Sequence, residues 1–230
     1  MYSNPHQLKG GIMSGNRNKI LGQFAAMYYD KGYTIEFCQN FAEMFVDDKK
    51  NVKPVDIIFL ASMYNKAGDI ESAAFYLDMV DDKKLSGEEK FCYCYERLFI
   101  YGKKGRGAEG DLFRNENINF MQNYAQKKNT PEYLVNMFIA LALVDCANGR
   151  YADAFTLLKR SYKPTGRNDR YFLSILITAV FIYAKMGDMA ELEEASNNAR
   201  KYLKTFSSFD YEWEKAYLEK CISNAEEGKA

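Results

Sequence analysis

The chain has 230 residues, of which 47% are apolar and 27% charged, and this composition is that of a folded globular protein rather than a disordered or collagen-like one. The charges of its 31 basic and 31 acidic side chains cancel. A net charge of zero argues against a broad surface that binds nucleic acid or an anionic membrane. The single histidine, His6, argues against histidine-dependent catalytic triads and multi-histidine zinc sites.

No periodic pattern predicts regular structure at the start of the chain. Residues 1–17 include a glycine-rich stretch and lack the apolar core of a signal peptide, so we expect a flexible or extended lead-in. Further along, apolar residues recur at helical spacing, and no segment alternates as a strand does. The most apolar run, 172–184, is shorter than the ~20 residues of a membrane span. We therefore expect a soluble cytoplasmic protein that has no membrane partner.

Glycines that follow helical-looking segments mark an internal repeat. Each of five such glycines has an aromatic or polar residue four positions before it, and successive glycines are 36, 37, 44 and 38 residues apart. Glycine is a sound stop signal after a helix, because it adopts the left-handed conformation without a Cβ penalty. The five segments that end at these glycines are 28–32, 64–68, 101–105, 145–149 and 183–187.

Two of the repeats resemble a known helical repeat. Residues 60–74, LASMYNKAGDIESAA, and residues 141–155, LALVDCANGRYADAF, each carry an alanine seven positions before the glycine and another five positions after it. Small residues at these positions let two helices approach closely across a short turn. Both segments resemble the core of a tetratricopeptide repeat, and the resemblance covers residues 18–206. It implies an all-α fold, an α-solenoid of about five antiparallel helix pairs.

Turn and cap residues divide this array into helices. Thr130 stands before Pro131 as an N-cap, Ser86–Glu89 is a capping box, and Asp188 with Glu191 resembles one. The third pair departs from the repeat pattern most, because its second helix begins late, near residue 110. The predicted pairs are 18–31 with 34–47, 54–67 with 69–81, 87–102 with 110–127, 131–148 with 151–162, and 169–186 with 188–206.

Residues 207–230 predict one further helix that belongs to no pair. Over 209–226, Trp213, Tyr217 and Leu218 lie on one side, and many charged residues occupy the rest. A helical array needs such a polar-backed helix to shield its open end. The predicted organisation is therefore a lead-in, a helical repeat array over 18–206 and a C-terminal capping helix.

The resemblance also implies where a partner would bind. In tetratricopeptide arrays the first helices of the pairs line a concave face, which here corresponds to the positions ten and six residues before each glycine. These positions are mostly apolar and predict a groove for a partner peptide or helix. Two other interpretations stay open: the same residues are core between stacked pairs, or the N-terminal segment covers them. The candidate partner-binding residues are Ile58, Ser62, Tyr95, Phe99, Ile139, Leu143, Ile177 and Phe181.

Polar residues on the predicted concave face do not complete a recognisable site. Family members that hold a peptide carboxylate use lysine, arginine and asparagine on this face, whereas here Lys19, Asn65 and Asn136 are scattered along the chain. No catalytic residues, metal ligands or cofactor site stand out. The sequence Gly105–Gly110 spells G-x-G-x-x-G, but it follows a helical pattern and not a strand, so we predict a stretched turn between helices.

The five cysteines predict a reducing environment. Their number is odd, no C-x-x-C spacing occurs, and all lie in stretches with apolar periodicity, so we expect buried free thiols. They are Cys38, Cys92, Cys94, Cys146 and Cys221.

These observations together predict a non-enzymatic protein–protein interaction module that works as a scaffold or adaptor. One alternative is a single-stranded RNA binder, because residues 63–73 also look like a pentatricopeptide unit, although the irregular spacing and zero net charge argue against nucleic acid. Another alternative is a regulatory subunit of an enzyme complex. The concave face or the last helix could also pair with a second copy of the chain, forming a homodimer.

Overall fold

The computed structural model describes residues 34–47, 52–161, 169–206 and 212–227, and over these residues the protein is all-α and contains no strand. The lead-in and the first predicted helix, 18–31, lie outside the described residues. A short 3₁₀ helix, Asp82–Lys84, follows the third of the α-helices. The α-helices are α1 Ile35–Phe45, α2 Pro54–Ala67, α3 Ile70–Asp78, α4 Gly87–Lys103, α5 Gly107–Lys128, α6 Pro131–Ala147, α7 Tyr151–Ser161, α8 Arg170–Met186, α9 Met189–Leu203 and α10 Glu212–Glu226.

Local chemistry accounts for most of the helix boundaries. The Asp188 carboxylate accepts a hydrogen bond from the Glu191 amide at 3.2 Å, which confirms the predicted cap of α9. Pro131 occupies the first turn of α6, where its missing N–H costs nothing. Four of the five repeat glycines have positive φ angles, as predicted, and the fifth lies outside the described residues. The four are Gly68, Gly105, Gly149 and Gly187.

One predicted cap and several predicted boundaries were wrong, among them the end of α9, which lies at Leu203 and not at 206. The Ser86 side chain makes no capping hydrogen bond, so the predicted capping box does not form at the start of α4. Helix α3 ends at Asp78, three residues early, because the chain turns into the 3₁₀ helix. Helix α5 begins at Gly107, before the predicted residue 110, and only residues 104–106 form the turn. Gly110 therefore lies inside a helix, where a Cβ atom would approach both methyl groups of Val144 to 2.9 Å.

Alternate helices pack into one row. Helices α2, α4, α6 and α8, here called the central row, each contact the next member of the row. Each of them also packs against the helix that follows it in the chain, namely α3, α5, α7 or α9, across a turn of two or three residues. The core runs along these contacts in three clusters of buried apolar side chains.

Helix α10 contacts helices at both ends of the central row. It packs on α8 and α9, and it also contacts α2, at the other end of the central row. Leu218 is fully buried, as the predicted apolar side of this helix requires. Near α2, the Lys220 ammonium lies 2.5 Å from the point where a Cβ on Gly68 would be. The C-terminal helix thus joins the last helix pair to the start of the central row.

Candidate functional site

A cavity lies among the four helices of the central row. Its empty space is about 630 Å³, a volume that includes space open to solvent. Side chains from all four helices line it, with Asn65 on α2, Glu96 on α4, Asn136 on α6 and Thr178 on α8 among them. A second cavity, with about 300 Å³ of empty space, shares Tyr95 and Asn136 with the first and continues towards the starts of α4 and α6.

Most of the predicted partner-binding residues meet at this cavity. Ile58 does not line it and is buried in the core, and Phe181 does not line it either. Leu143 lines the cavity but is 1% exposed, so it also serves as core between α4 and α6. Leu143 therefore belongs both to the wall of the cavity and to the core between stacked pairs. The six predicted residues that line the cavity are Ser62, Tyr95, Phe99, Ile139, Leu143 and Ile177.

The side of the cavity formed by α8 is also covered by the chain itself. Ile177 belongs to a cluster of buried apolar residues that includes Leu218, Cys221 and Ile222 of α10. The interpretation that the N-terminal segment covers this face concerns residues outside the described ones. Cover from the C-terminal helix was not predicted, because the sequence pattern places that helix only at the end of the array.

One wall of the cavity contains a buried carboxylate. Glu96 is 1% exposed, and its Oε2 accepts a hydrogen bond from Asn65 Nδ2 at 3.0 Å. Ser62, one turn before Asn65 on α2, is also 1% exposed. Within the part of the chain that the structure describes, Ser62 Oγ and Asn65 Oδ1 have no hydrogen-bond partner. Glu96 was not predicted, although its spacing of three residues before Phe99 indicates that these two side chains share a helix face.

The same cavity contains a lysine at its other end. Lys103 follows Glu96 by seven residues on α4, which corresponds to ~10 Å along the helix. Its ammonium lies 3.6 Å from the ring centre of Phe181 and 5.6 Å from that of Phe99. Burial, together with the nearby ammonium groups of Lys185 and Lys220, lowers the pKa of Lys103 to about 8. The cavity therefore has a carboxylate at one end and an amine at the other.

The lowered pKa of Lys103 predicts a particular pH dependence. An unfolded lysine titrates near ~10.4, so between pH 8 and that value the unfolded state binds more protons than the folded state, and the free energy of unfolding rises with pH. The Lys103→Met variant lacks this contribution. We expect its stability advantage over the natural protein to be largest at pH 7 and to shrink towards pH 10, as measured by thermal unfolding.

The exposed Lys83 provides the control for this experiment. The difference between the Lys83→Met variant and the natural protein should stay constant with pH, because Lys83 is exposed on the 3₁₀ helix. A constant difference for Lys103→Met as well would contradict the lowered pKa.

The cysteines are free thiols, and the two most clearly perturbed ones are unreactive at neutral pH. All five cysteines are free, and four of them are buried, which confirms the predicted thiols except that Cys92 is only partly buried. Burial raises the pKa of Cys38 and of Cys94 to about 12, so both stay protonated at neutral pH. The described residues contain no group of three or more side chains suited to a metal ion. Within the described ranges, every helix is too short or too polar to cross a bilayer.

Comparison of the chain with family models, with curated proteins and with solved structures found no match. The contacts among the helices and the chemistry of the cavity between them are therefore the observations from which a function is proposed.

Proposed function

We propose that the chain is an α-solenoid of five tetratricopeptide-like helix pairs that binds a short segment of a partner polypeptide in the cavity of the central row. One observation carries the proposal. Residues six positions before the repeat glycines line one cavity from α2, α4 and α6, and residues ten positions before them line it from α4, α6 and α8. Such equivalent positions meet on one face when repeated pairs stack in the same orientation, as they do in a solenoid.

The lining of the cavity suits a polypeptide. Phe99, Ile139 and Ile177 offer apolar surface to side chains, while polar side chains alternate with them. The Asn136 amide is partly buried and, among the described residues, makes no hydrogen bond, so it can pair with a peptide N–H or C=O group. A peptide presents both apolar side chains and backbone donors and acceptors, which is the combination this cavity accommodates.

The size and charge of the cavity limit the kinds of partner that can bind in it. The 630 Å³ of empty space includes open solvent, and α10 already packs on α8, so the cavity suits side chains of a short segment and not a long partner helix. The Glu96 carboxylate in the wall disfavours the phosphates of RNA, as does the net charge of zero. The proposed role is non-enzymatic binding, which fits a scaffold or a regulatory subunit equally.

The test is selection of binding peptides from a random library displayed on phage, followed by a variant that blocks the cavity. Asn136→Phe places a bulky ring at the rim, where the side chain is only partly buried. We expect it to weaken binding of the selected peptides by at least about tenfold, ~1.4 kcal/mol, while helicity measured by circular dichroism stays unchanged.

Asn115→Phe is the matched control, because Asn115 is exposed on α5 and does not line the cavity. It should bind the selected peptides as the natural protein does. If the two variants behave alike, or if the library yields no binder, the proposed function is wrong.

A further inference from the structure

The wall formed by α2 and α4 gathers hydrogen-bond acceptors that lack donors. Ser62 Oγ and Asn65 Oδ1 are both buried, both residues line the cavity, and neither atom has a partner among the described residues. Glu96 adds a carboxylate. Among the described residues, only Asn65 donates a hydrogen bond to it. Such unsatisfied buried groups are rare in folded proteins and call for a partner.

A cation is the partner that this wall lacks. A buried carboxylate is strongly stabilised when a cation pairs with it, and none of the described lysines or arginines forms an ion pair with Glu96. Lys66 and Lys103 also line the cavity, but neither forms an ion pair with Glu96, and the Lys103 ammonium lies over the Phe181 ring. The carboxylate end of the cavity is thus left for a cation from outside.

The acceptors match an ammonium group in number. A lysine ammonium has three donors and no acceptor, and Ser62, Asn65 and Glu96 each supply an acceptor. Its alkyl chain would lie along the rings of Tyr95 and Phe99, which line the cavity beside Glu96. A guanidinium has five donors in a planar fork and would leave donors unpaired in this wall.

We propose that Ser62, Asn65 and Glu96 form a subsite for a primary ammonium group, and that it anchors a lysine side chain of the bound segment. The proposal rests on the proposed function, since it names the residue by which that segment is held. It also assigns a role to Glu96, which is buried and forms no ion pair with any described residue.

The test uses the full chain and a small probe, Nα-acetyl-lysine N-methylamide, with titration followed by calorimetry or NMR. We expect binding at millimolar concentrations, and binding at least about tenfold weaker when the probe's side chain is acetylated, since acetylation removes the charge and two donors. Cadaverine, a free diamine, is the second arm. If it binds as tightly as the lysine probe, the subsite takes small amines and does not anchor a peptide.

Glu96→Gln tests the carboxylate directly. Glutamine keeps the shape and an acceptor for Asn65, so the variant should fold with an unfolding midpoint equal to or above that of the natural protein. We expect it to bind the lysine probe at least about tenfold less tightly, since hydrogen bonds to charged groups are worth about 1.5–3 kcal/mol. Glu116→Gln, at an exposed position of α5, is the control and should leave binding unchanged.

The outcomes separate this proposal from the function on which it rests. Library peptides enriched in lysine that lose affinity for Glu96→Gln would support both. Peptides that bind in the cavity without lysine, and equally to Glu96→Gln, would overturn the ammonium subsite and leave the peptide-binding function standing. If neither peptides nor the amine probe bind, both proposals are wrong.

Discussion

Replacing Asp145 by alanine should destabilise the protein by about 3–5 kcal/mol, which is the usual cost of removing one partner from a buried ion pair. The side chain of Asp145 is 4% exposed. Its Oδ1 accepts hydrogen bonds from Arg114 at 3.0 Å and from Arg150, whose Nε is also at 3.0 Å. The alanine variant leaves these guanidinium groups facing a buried site without their shared anion.

The loss is large because the network joins three helices. Arg114 lies on α5, Asp145 on α6, and Arg150 in the turn before α7. Asp111 of α5 also pairs with Arg150, at 2.7 and 2.8 Å. Asp111 and Asp145 accept hydrogen bonds from the Arg150 guanidinium, and these bonds raise the pKa of Arg150 above that of an ordinary arginine. A change at Asp145 therefore weakens the attachment of α6 to α5 and to the turn before α7.

Equilibrium unfolding in urea measures this effect. Asp153→Ala is the matched control, because Asp153 is exposed on α7, and it should change the free energy of unfolding by no more than about 0.5 kcal/mol. Asp145→Asn keeps the size of the side chain but removes its charge, and we expect it to fall between the two. A loss below about 1 kcal/mol for Asp145→Ala would show that the network behaves as an ordinary surface ion pair.

Gly102→Ala should also destabilise the protein, by about 1–3 kcal/mol or more, although the same change in an open helix stabilises by ~1 kcal/mol. Gly102 lies in the last turn of α4, where that helix crosses α6. A Cβ atom there would lie 2.5 Å from the Leu143 Cβ and 2.7 Å from its carbonyl carbon. The carbonyl carbon belongs to the backbone, so relief of the clash requires the two helices to move apart.

Gly110→Ala provides a graded comparison for this prediction. Its Cβ would meet the two methyl groups of Val144 at 2.9 Å, and a side chain can move more easily than a backbone. We therefore expect a smaller loss than for Gly102→Ala in the same urea titration. Asn115→Ala on the exposed face of α5 should be neutral or slightly stabilising. A stabilising effect of Gly102→Ala would contradict the close approach of α4 and α6.

Repetition explains why six of the cavity residues were found from sequence. Ser62, Phe99 and Leu143 lie six residues before successive repeat glycines, so one assumption about the repeat placed all of them. The same reasoning placed Ile58, which the structure buries in the core instead. Asn65 and Asn136 were noticed but seemed scattered, because 71 residues separate them in the chain and packing alone brings them to one cavity.

Charged residues of the site escaped the sequence analysis for a general reason. Glutamate and lysine in a helix are usually exposed, so helical spacing relative to Phe99 was not enough to predict that Glu96 and Lys103 line a cavity. Their burial depends on what the neighbouring helices place over them. In the sequence Asp145 is only a polar residue four positions before a glycine, and its partners Arg114 and Arg150 come from another helix and from the turn after α6.

Helix starts and stops, the all-α class and the glycine turns could be read from the amino-acid order, because caps, prolines and left-handed glycines act within a few residues of themselves. The contact of α10 with α2, the buried carboxylate of Glu96 and the ion network around Asp145 could not. Each depends on residues more than 30 positions apart, or on an apolar cover from another helix, and no periodicity along the chain specifies which distant surfaces meet.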